Sequence, residues 1–325
     1  MADNPHDKLF KLVYGRPMQA AAYFERFLPA EVVARLDLER LELADGSFVD
    51  EELKEHHTDL LFVAPIIASD PAPDDEEPPR DALLYLLFEH QSTVDRMMPF
   101  RLLRYMVRIW ERWQGEHPAA VHLPPIIPVV LYQGERDWQA AKVLPDMVPD
   151  AAGALGRFVP RFDVLFTCLR ELSDAELATI RDGVSRLLLM VFRHGRDANV
   201  LTHLPRWAAE LLEAQVLQLL GGFIEYLLSV QDPLDLKALG SSLRKTLNPR
   251  AESTAMTVAE KLIEQGREQG REGTLRQTLQ RQLTLRFGPL PEWAVRTIEE
   301  AGSDTLEWWL ERVISVESLE GVFAS

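Results

Sequence analysis

Ala82-Leu-Leu-Tyr-Leu-Leu-Phe-Glu-His-Gln91 is the stretch that decides the fold. Its nearly unbroken apolar run predicts a central strand covered on both faces. At its end Glu89 and Gln91 stand two apart, so they project from one face of a sheet while His90 points away. The preceding apolar run, Asp59 to Ile67, predicts the neighbouring strand, and pairing at about 4.8 Å would bring the Asp59 carboxylate beside Glu89. Two carboxylates that close repel each other unless a cation sits between them. The pattern points to Asp59 and Glu89 as ligands of a Mg²⁺ ion, in the geometry of a site for phosphodiester cleavage.

Working outward, Ser69 to Arg80 is rich in Pro, Asp and Glu and reads as a surface loop. Upstream, helical spacing of apolar residues from Pro17 to Leu36 predicts an opening helix, and Leu41 and Leu43 before Asp45-Gly46 predict a first strand and hairpin. Downstream, a helix is expected from about Val94 to Trp113, burying Leu102, Met106, Ile109 and Trp113. Two more strands follow, Ile126 to Tyr132 and Phe162 to Leu169, with Pro128 placing the first near an edge or bulge at that residue. The predicted class is α/β, an αβββαβ core with a helical C-terminal extension.

After Cys168 the pattern is helical. Ser173-Asp-Ala-Glu176 is a capping-box signature, and helices are expected from Asp174 to about His194 and from about Pro205 to Val230. Residues 231–274 read as a helical linker and 275–325 as a small helical unit of two or three short helices. A polar helix from Thr254 to Phe287 carries the tandem Gln265-Gly-Arg-Glu and Gln269-Gly-Arg-Glu, where each glycine costs about 1 kcal/mol relative to alanine. The segment is readable as a hinge, a spacer, a partner dock or a site of homo-oligomerisation.

The length of 325 residues suits about two structural units. One cysteine excludes an intramolecular disulfide framework, and no apolar run approaches the roughly 18 residues that span a bilayer. A soluble protein in a reducing cytoplasm, with no membrane partner, is the expectation. The net charge of -16 argues against a nucleic-acid partner. Its distribution softens the objection, because acids concentrate in Asp50 to Glu55 and Asp74 to Glu77 while arginines gather at Arg96, Arg101, Arg104, Arg108 and Arg112, and the local field governs the approach of a phosphate chain.

His6-Asp7 with Phe10-Lys11, Thr58-Asp59-Leu-Leu, Phe88-Glu-His-Gln-Ser92, Met98-Pro-Phe-Arg101, Arg104-Tyr105 and Pro125-Ile-Ile-Pro-Val-Val-Leu-Tyr132 together resemble the Rpn family of recombination-promoting nucleases, also labelled YhgA-like transposases, within the PD-(D/E)XK superfamily. The resemblance covers roughly residues 5 to 230. The tail, with Arg281-Gln-Leu-Thr and Phe287-Gly-Pro-Leu, resembles a small DUF4351-like domain. What this implies is a restriction-endonuclease-like core and a Mg²⁺-dependent endonuclease acting on DNA with low sequence specificity, Mn²⁺ or Ca²⁺ being further candidate ions. The implied setting is RecA-independent recombination or mobile-element transfer. Asp59 and Glu89 take the roles of the superfamily's metal-binding acids, and Gln91 stands where the superfamily has a lysine. A glutamine amide orients water but brings no positive charge, so a catalytically weak or inactive DNA-binding or oligomerisation scaffold is the competing reading.

Glu25, on the first predicted helix, is a candidate accessory acid set against an ordinary solvent-facing glutamate, and Asp7 and Asp163 are lesser candidates. Arg101, Arg104 and Arg108 follow spacings of three and four and fall along one helix side, as DNA-phosphate contacts or as a solvated, ion-paired face. His6 and Asp7 read as a loop anchor and Cys168 as core. His56-His57 lack the ligand spacing of a zinc site, and His194 reads as a helix C-terminal residue capped by Gly195.

Overall fold

The computed structural model describes residues 4–44, 58–67, 81–89, 94–134, 137–149, 153–212, 214–231 and 235–323. Five strands form one sheet in the order β1-β2-β3-β4-β5: β1 Glu42–Leu43, β2 Thr58–Pro65, β3 Asp81–Glu89, β4 Ile126–Tyr132 and β5 Leu165–Cys168. The pairs β1–β2 and β2–β3 are antiparallel, and β3–β4 and β4–β5 are parallel. The first residues of β2 therefore share one end of the sheet with the last residues of β3, β4 and β5. This is the expected α/β core with a helical C-terminal region.

The chain opens one helix earlier than expected. Asn4 accepts from the His6 amide and Pro5 occupies the first turn of α1, Pro5–Tyr14, a start signal made of a capping side chain and a pre-set φ. The helix expected over 17–36 is α2, Pro17–Phe27, only. Leu28 turns extended (φ -72°, ψ 149°) because Pro29 follows, and a residue before proline is pushed out of the helical region. A separate turn, Ala30–Val33, follows. The hairpin at Asp45-Gly46 lies outside the described residues.

On one face of the sheet, Leu61, Leu83, Ile126, Val130, Tyr132 and Cys168 pack against Met98, Leu102, Tyr105, Met106 and Ile109. The last five belong to α3, Met98–Glu116. Trp113, expected in that stripe, is half-buried and stacks on His117 with ring centroids 4.4 Å apart. The helix begins at Met98 rather than Val94, and the Met97 amide donates to the Asp95 carboxylate at 2.8 Å. Pro128 proves compatible with an interior strand. β4 lies between β3 and β5, but its ladder with β5 begins only at Val129, so at Pro128 the strand has β3 alone beside it.

The opposite face carries α1, α2 and two later helices, α4 Gly183–His194 and α5 Ala214–Val230. The Phe24 ring meets Phe62 edge-on at 5.5 Å, and the hydroxyls of Tyr14 and Ser185 share a buried hydrogen bond of 3.0 Å. The capping box at Ser173 forms as expected, with the Ser173 amide donating to Glu176 at 2.8 Å. It caps a single turn, Asp174–Leu177, and α4 starts afresh where the Asp182 carboxylate accepts from the Ser185 amide at 2.7 Å. Gly195 caps α4 in the right-handed conformation.

Burial raises the pKa of Tyr14, Tyr23 and Tyr226, that of Tyr226 to about 12. Their folded pKa values thus lie above the ordinary phenol value near 10, so the native state keeps protons that the unfolded chain releases. Their stabilisation is complete below pH 10 and lost as pH rises through the folded values, at up to roughly 1.4 kcal/mol per pH unit for each tyrosine. Urea unfolding at pH 9 and pH 11 is expected to show a lower midpoint at the higher pH; equal midpoints would contradict it.

The chain divides into two compact units, Met1–Ala255 and Met256–Ser325. Helix α6, Leu236–Thr246, lies within the first. Helix α7, Pro249–Phe287, runs unbroken through Gly266, Gly270 and Gly273, each of which faces open space, so the glycines mark no interruption of the helix. The second unit holds the C-terminal part of α7 with α8 Glu292–Glu300, α9 Ser303–Ser315 and α10 Leu319–Phe323. Leu279, Leu283, Ile298, Leu306, Trp309 and Val313 form its core. Arg286 donates to the carbonyls of Val313 and Val316, and Gly288 (φ 87°) turns the chain out of α7. Trp308 and Ile314 are exposed, with the Arg312 guanidinium 4.3 Å from the centre of the Trp308 ring. Among the described residues no helix is long and apolar enough to cross a membrane.

Candidate active site

The register of β2 on β3 places the two acidic positions. Asp59 is opposite Leu87, not opposite Glu89, which lies two residues further along β3. Opposite partners share a face and a two-residue step preserves it, so Asp59 and Glu89 occupy diagonal positions on the same face, with Cα atoms roughly 7–8 Å apart by standard sheet geometry. The face is the one covered by α3, because Leu61 and Leu83, of the same parity, pack there. Glu89 is also the register partner of Tyr132 in β4. Gln91 lies outside the described residues, as do His56 and His57.

The segments that leave this end of the sheet build a cleft. Val94 and Arg96 follow β3, Asp137, Gln139 and Ala140 follow β4, and Arg170 follows β5; together they line a cavity of about 770 Å³. Carboxyl ends of parallel strands are the usual ligand-binding edge of an open α/β sheet. Val94 and Ala140 also pack on the α3-side core, which puts the cleft on the face that holds positions 59 and 89. Arg96 and Arg170 are exposed, and the Arg170 guanidinium lies 3.9 Å from the Asp137 carboxylate. Arg170 was not among the sequence candidates. It stands alone in sequence, and only the short strand before it brings it to the cleft.

The predicted arginines are not equivalent. Arg101 is partly buried and pairs with Asp95 at 2.9 Å, which fits a role in fixing the start of α3. Arg104 and Arg108 are exposed further along the helix, and Arg108 pairs with Glu111 at 3.6 Å. Glu25 is exposed on α2 and pairs with Arg181 at 3.6 Å. Asp163 is exposed and precedes β5, hence at the end of the sheet away from positions 59 and 89.

Asp7 is partly buried on α1. Its neighbour His6, read from sequence as a loop anchor, instead ties helices to the end of β4. The ring is buried, with Nδ1 3.1 Å from both Gln133 Oε1 and the Tyr226 hydroxyl, and Nε2 2.8 Å from Arg196. Gln133 in turn donates to the Phe192 carbonyl at 2.7 Å. A buried, satisfied polar network of this kind holds α1, α4 and α5 in one arrangement beneath the sheet end.

Residues 4–218 match the family described as putative transposase, YhgA-like. Recombination-promoting nuclease RpnA of Escherichia coli K12 is 25% identical over 269 residues, 82% of this chain and 85% of RpnA. Recombination-promoting nuclease RpnD of Escherichia coli O157:H7 is 36% identical over 132 residues, 41% of this chain and 46% of RpnD. The inactive recombination-promoting nuclease-like protein RpnE of Escherichia coli K12 is 25% identical over 268 residues, 81% of this chain and 83% of RpnE. No solved structure matches.

Proposed function

Because the chain belongs to the YhgA-like transposase family, we propose that it is a nuclease, a divalent-metal-dependent endonuclease that hydrolyses DNA phosphodiester bonds with low sequence specificity. The names of RpnA and RpnD support the activity. The observation that carries the choice of site is the register, which roots Asp59 and Glu89 on one face at one end of the sheet, beside a polar cleft. Two carboxylates rooted that far apart suit a shared Mg²⁺ with oxygen bonds near 2.1 Å; Mn²⁺ and Ca²⁺ prefer the same donors. When bound, the ion supplies charge neutralisation at the scissile phosphate and a water of lowered pKa.

The chain's own groups do the rest. Gln91 orients the attacking water through its amide, without the charge a lysine would bring. Arg96 and Arg170 hold phosphates flanking the scissile bond, contacts that fix position and carry no base information. Recombination is the proposed setting, and a cytoplasmic location the proposed compartment. Plasmid DNA incubated with the purified chain is expected to be nicked with Mg²⁺ or Mn²⁺ and left intact with EDTA. Nicking that persists in EDTA would end the metal-dependent reading.

A second reading has its own support: RpnE, named inactive, is as similar to this chain as RpnA is. In that reading the fold is a DNA-binding scaffold that oligomerises through α7. Both readings place phosphates near the exposed arginines. Arg170→Ala and Arg104→Ala are each expected to lower the slope of log K against log salt by about 1 for duplex DNA; an unchanged slope would return that side chain to the solvated surface.

A further inference from the structure

On the face of the sheet opposite α3, the C-terminal end of α4 and the segment after it bring His194, Asp197 and His203 together. One ligand atom from each lies within 4.8 Å of the others. We propose that these residues form a binding site for a divalent transition-metal ion of the zinc class, distinct from the Asp59–Glu89 position and independent of the nuclease reading.

Hydrogen-bond geometry gathers the donor atoms here. His194 Nδ1 lies 2.9 Å from Asp197 Oδ2, and His194 Nε2 lies 2.8 Å from Asp174 Oδ1. An imidazole can meet both carboxylates as a two-donor cation, or as the neutral ring with one N–H and one lone pair that a metal ligand requires. His203 Nε2 approaches the same Asp197 oxygen at 3.1 Å. Two ring nitrogens thus converge on one carboxylate oxygen, and the rings stack with centroids 4.4 Å apart. A metal ion in that convergence would be held by Nδ1 of His194, Nε2 of His203 and the Asp197 carboxylate, leaving the Nε2–H of His194 to donate to Asp174.

The last contact is the carboxylate–histidine support that metal-bound imidazoles usually have, fixing tautomer and ring orientation. Zinc bonds of roughly 2.0–2.1 Å in a tetrahedron put ligand atoms about 3.3 Å apart; the two edges that meet at Asp197 measure 2.9 and 3.1 Å, and the third, between the histidines, lies within 4.8 Å. His194 and Asp197 also line a cavity of about 540 Å³, shared with Gln133, Arg170, Arg193 and Arg196. The ion would tie the segment from Gly195 to Trp207, which has little regular structure, to the end of α4.

The test uses the untagged full chain carrying Asp59→Ala, so that the proposed nuclease acids do not compete, titrated with Zn²⁺ in a calorimeter and with Co²⁺ in a spectrophotometer. Expected are one equivalent of Zn²⁺, visible Co²⁺ bands of tetrahedral intensity, and a rise in Tm of several degrees with saturating Zn²⁺. All three are expected to vanish in His203→Gln and in Asp197→Asn whose circular dichroism matches the parent. No Zn²⁺ binding by the parent, a Co²⁺ spectrum unchanged from the aqueous ion, or undiminished binding by a folded His203→Gln would each overturn the site. A failure of plasmid nicking leaves these readouts unaffected.

Discussion

Glu89→Ala is expected to lower the rate of plasmid nicking by on the order of a thousandfold or more, and Asp59→Ala by a similar factor. A thousandfold corresponds to about 4 kcal/mol of transition-state stabilisation, the scale expected for losing a preorganised charge partner of the transferring phosphoryl group. The two residues sit at the ends of their strands, Glu89 as the last residue of β3 and Asp59 as the second of β2, so neither change is expected to unfold the sheet. In the proposed site both acids serve one ion, so their losses are expected not to add, and the double variant is expected to be no slower than the slower single variant. Single-turnover nicking of the three variants and the parent, with circular dichroism as the folding control, checks this. Multiplying losses, or a Glu89→Ala variant as fast as the parent, would move the chemistry elsewhere.

The second large effect is on stability. Tyr132→Ala is expected to destabilise the first unit by about 3–5 kcal/mol, the range for removing a buried aromatic side chain and leaving its cavity. The Tyr132 ring is fully buried, edge-on to Trp138 at 5.0 Å and beside Phe166 at 6.1 Å. It closes the α3-side core next to the backbone position of Glu89. Gly134 confirms how tightly the ring is held, since a Cβ there would lie 1.9 Å from the Tyr132 hydroxyl oxygen. Chemical denaturation should therefore show a large fall in midpoint for Tyr132→Ala and a smaller one for Gly134→Ala. A change under 1 kcal/mol for the alanine at 132 would mean that the ring is not a core element.

The sheet was legible because its strands carry different signatures. β3 is a nearly continuous apolar run and β4 has Pro128 at one end, and both were placed within a residue or two. The stretch from Asp174 to His194 was harder, because its apolar spacing continues through the break at Ile180-Arg181 and only Asp182, a second cap, marks the restart. Helix α1 is announced by Asn4 and Pro5 alone, because the clearest apolar periodicity begins at Pro17. For the candidate site, residue types and strand membership could be read directly. The two-residue offset between Asp59 and Glu89 could not, because register depends on how β2 and β3 align and no local pattern states it. Nor could the histidine cluster. His194, Asp197 and His203 carry no recognisable ligand spacing, and their convergence comes from the fold of the segment after α4.

The antiparallel meeting of β2 and β3 also sets what evolution can change. Residues inserted between Ile67 and Asp81 lengthen the connection without altering which face either acid occupies. One residue inserted within β2, between Asp59 and Leu61, would carry position 59 through the sheet to the α1 side, whereas two would return it. For the proposed site, chain distance between the acids is therefore free to vary, while odd or even placement within the strand decides whether they share a face.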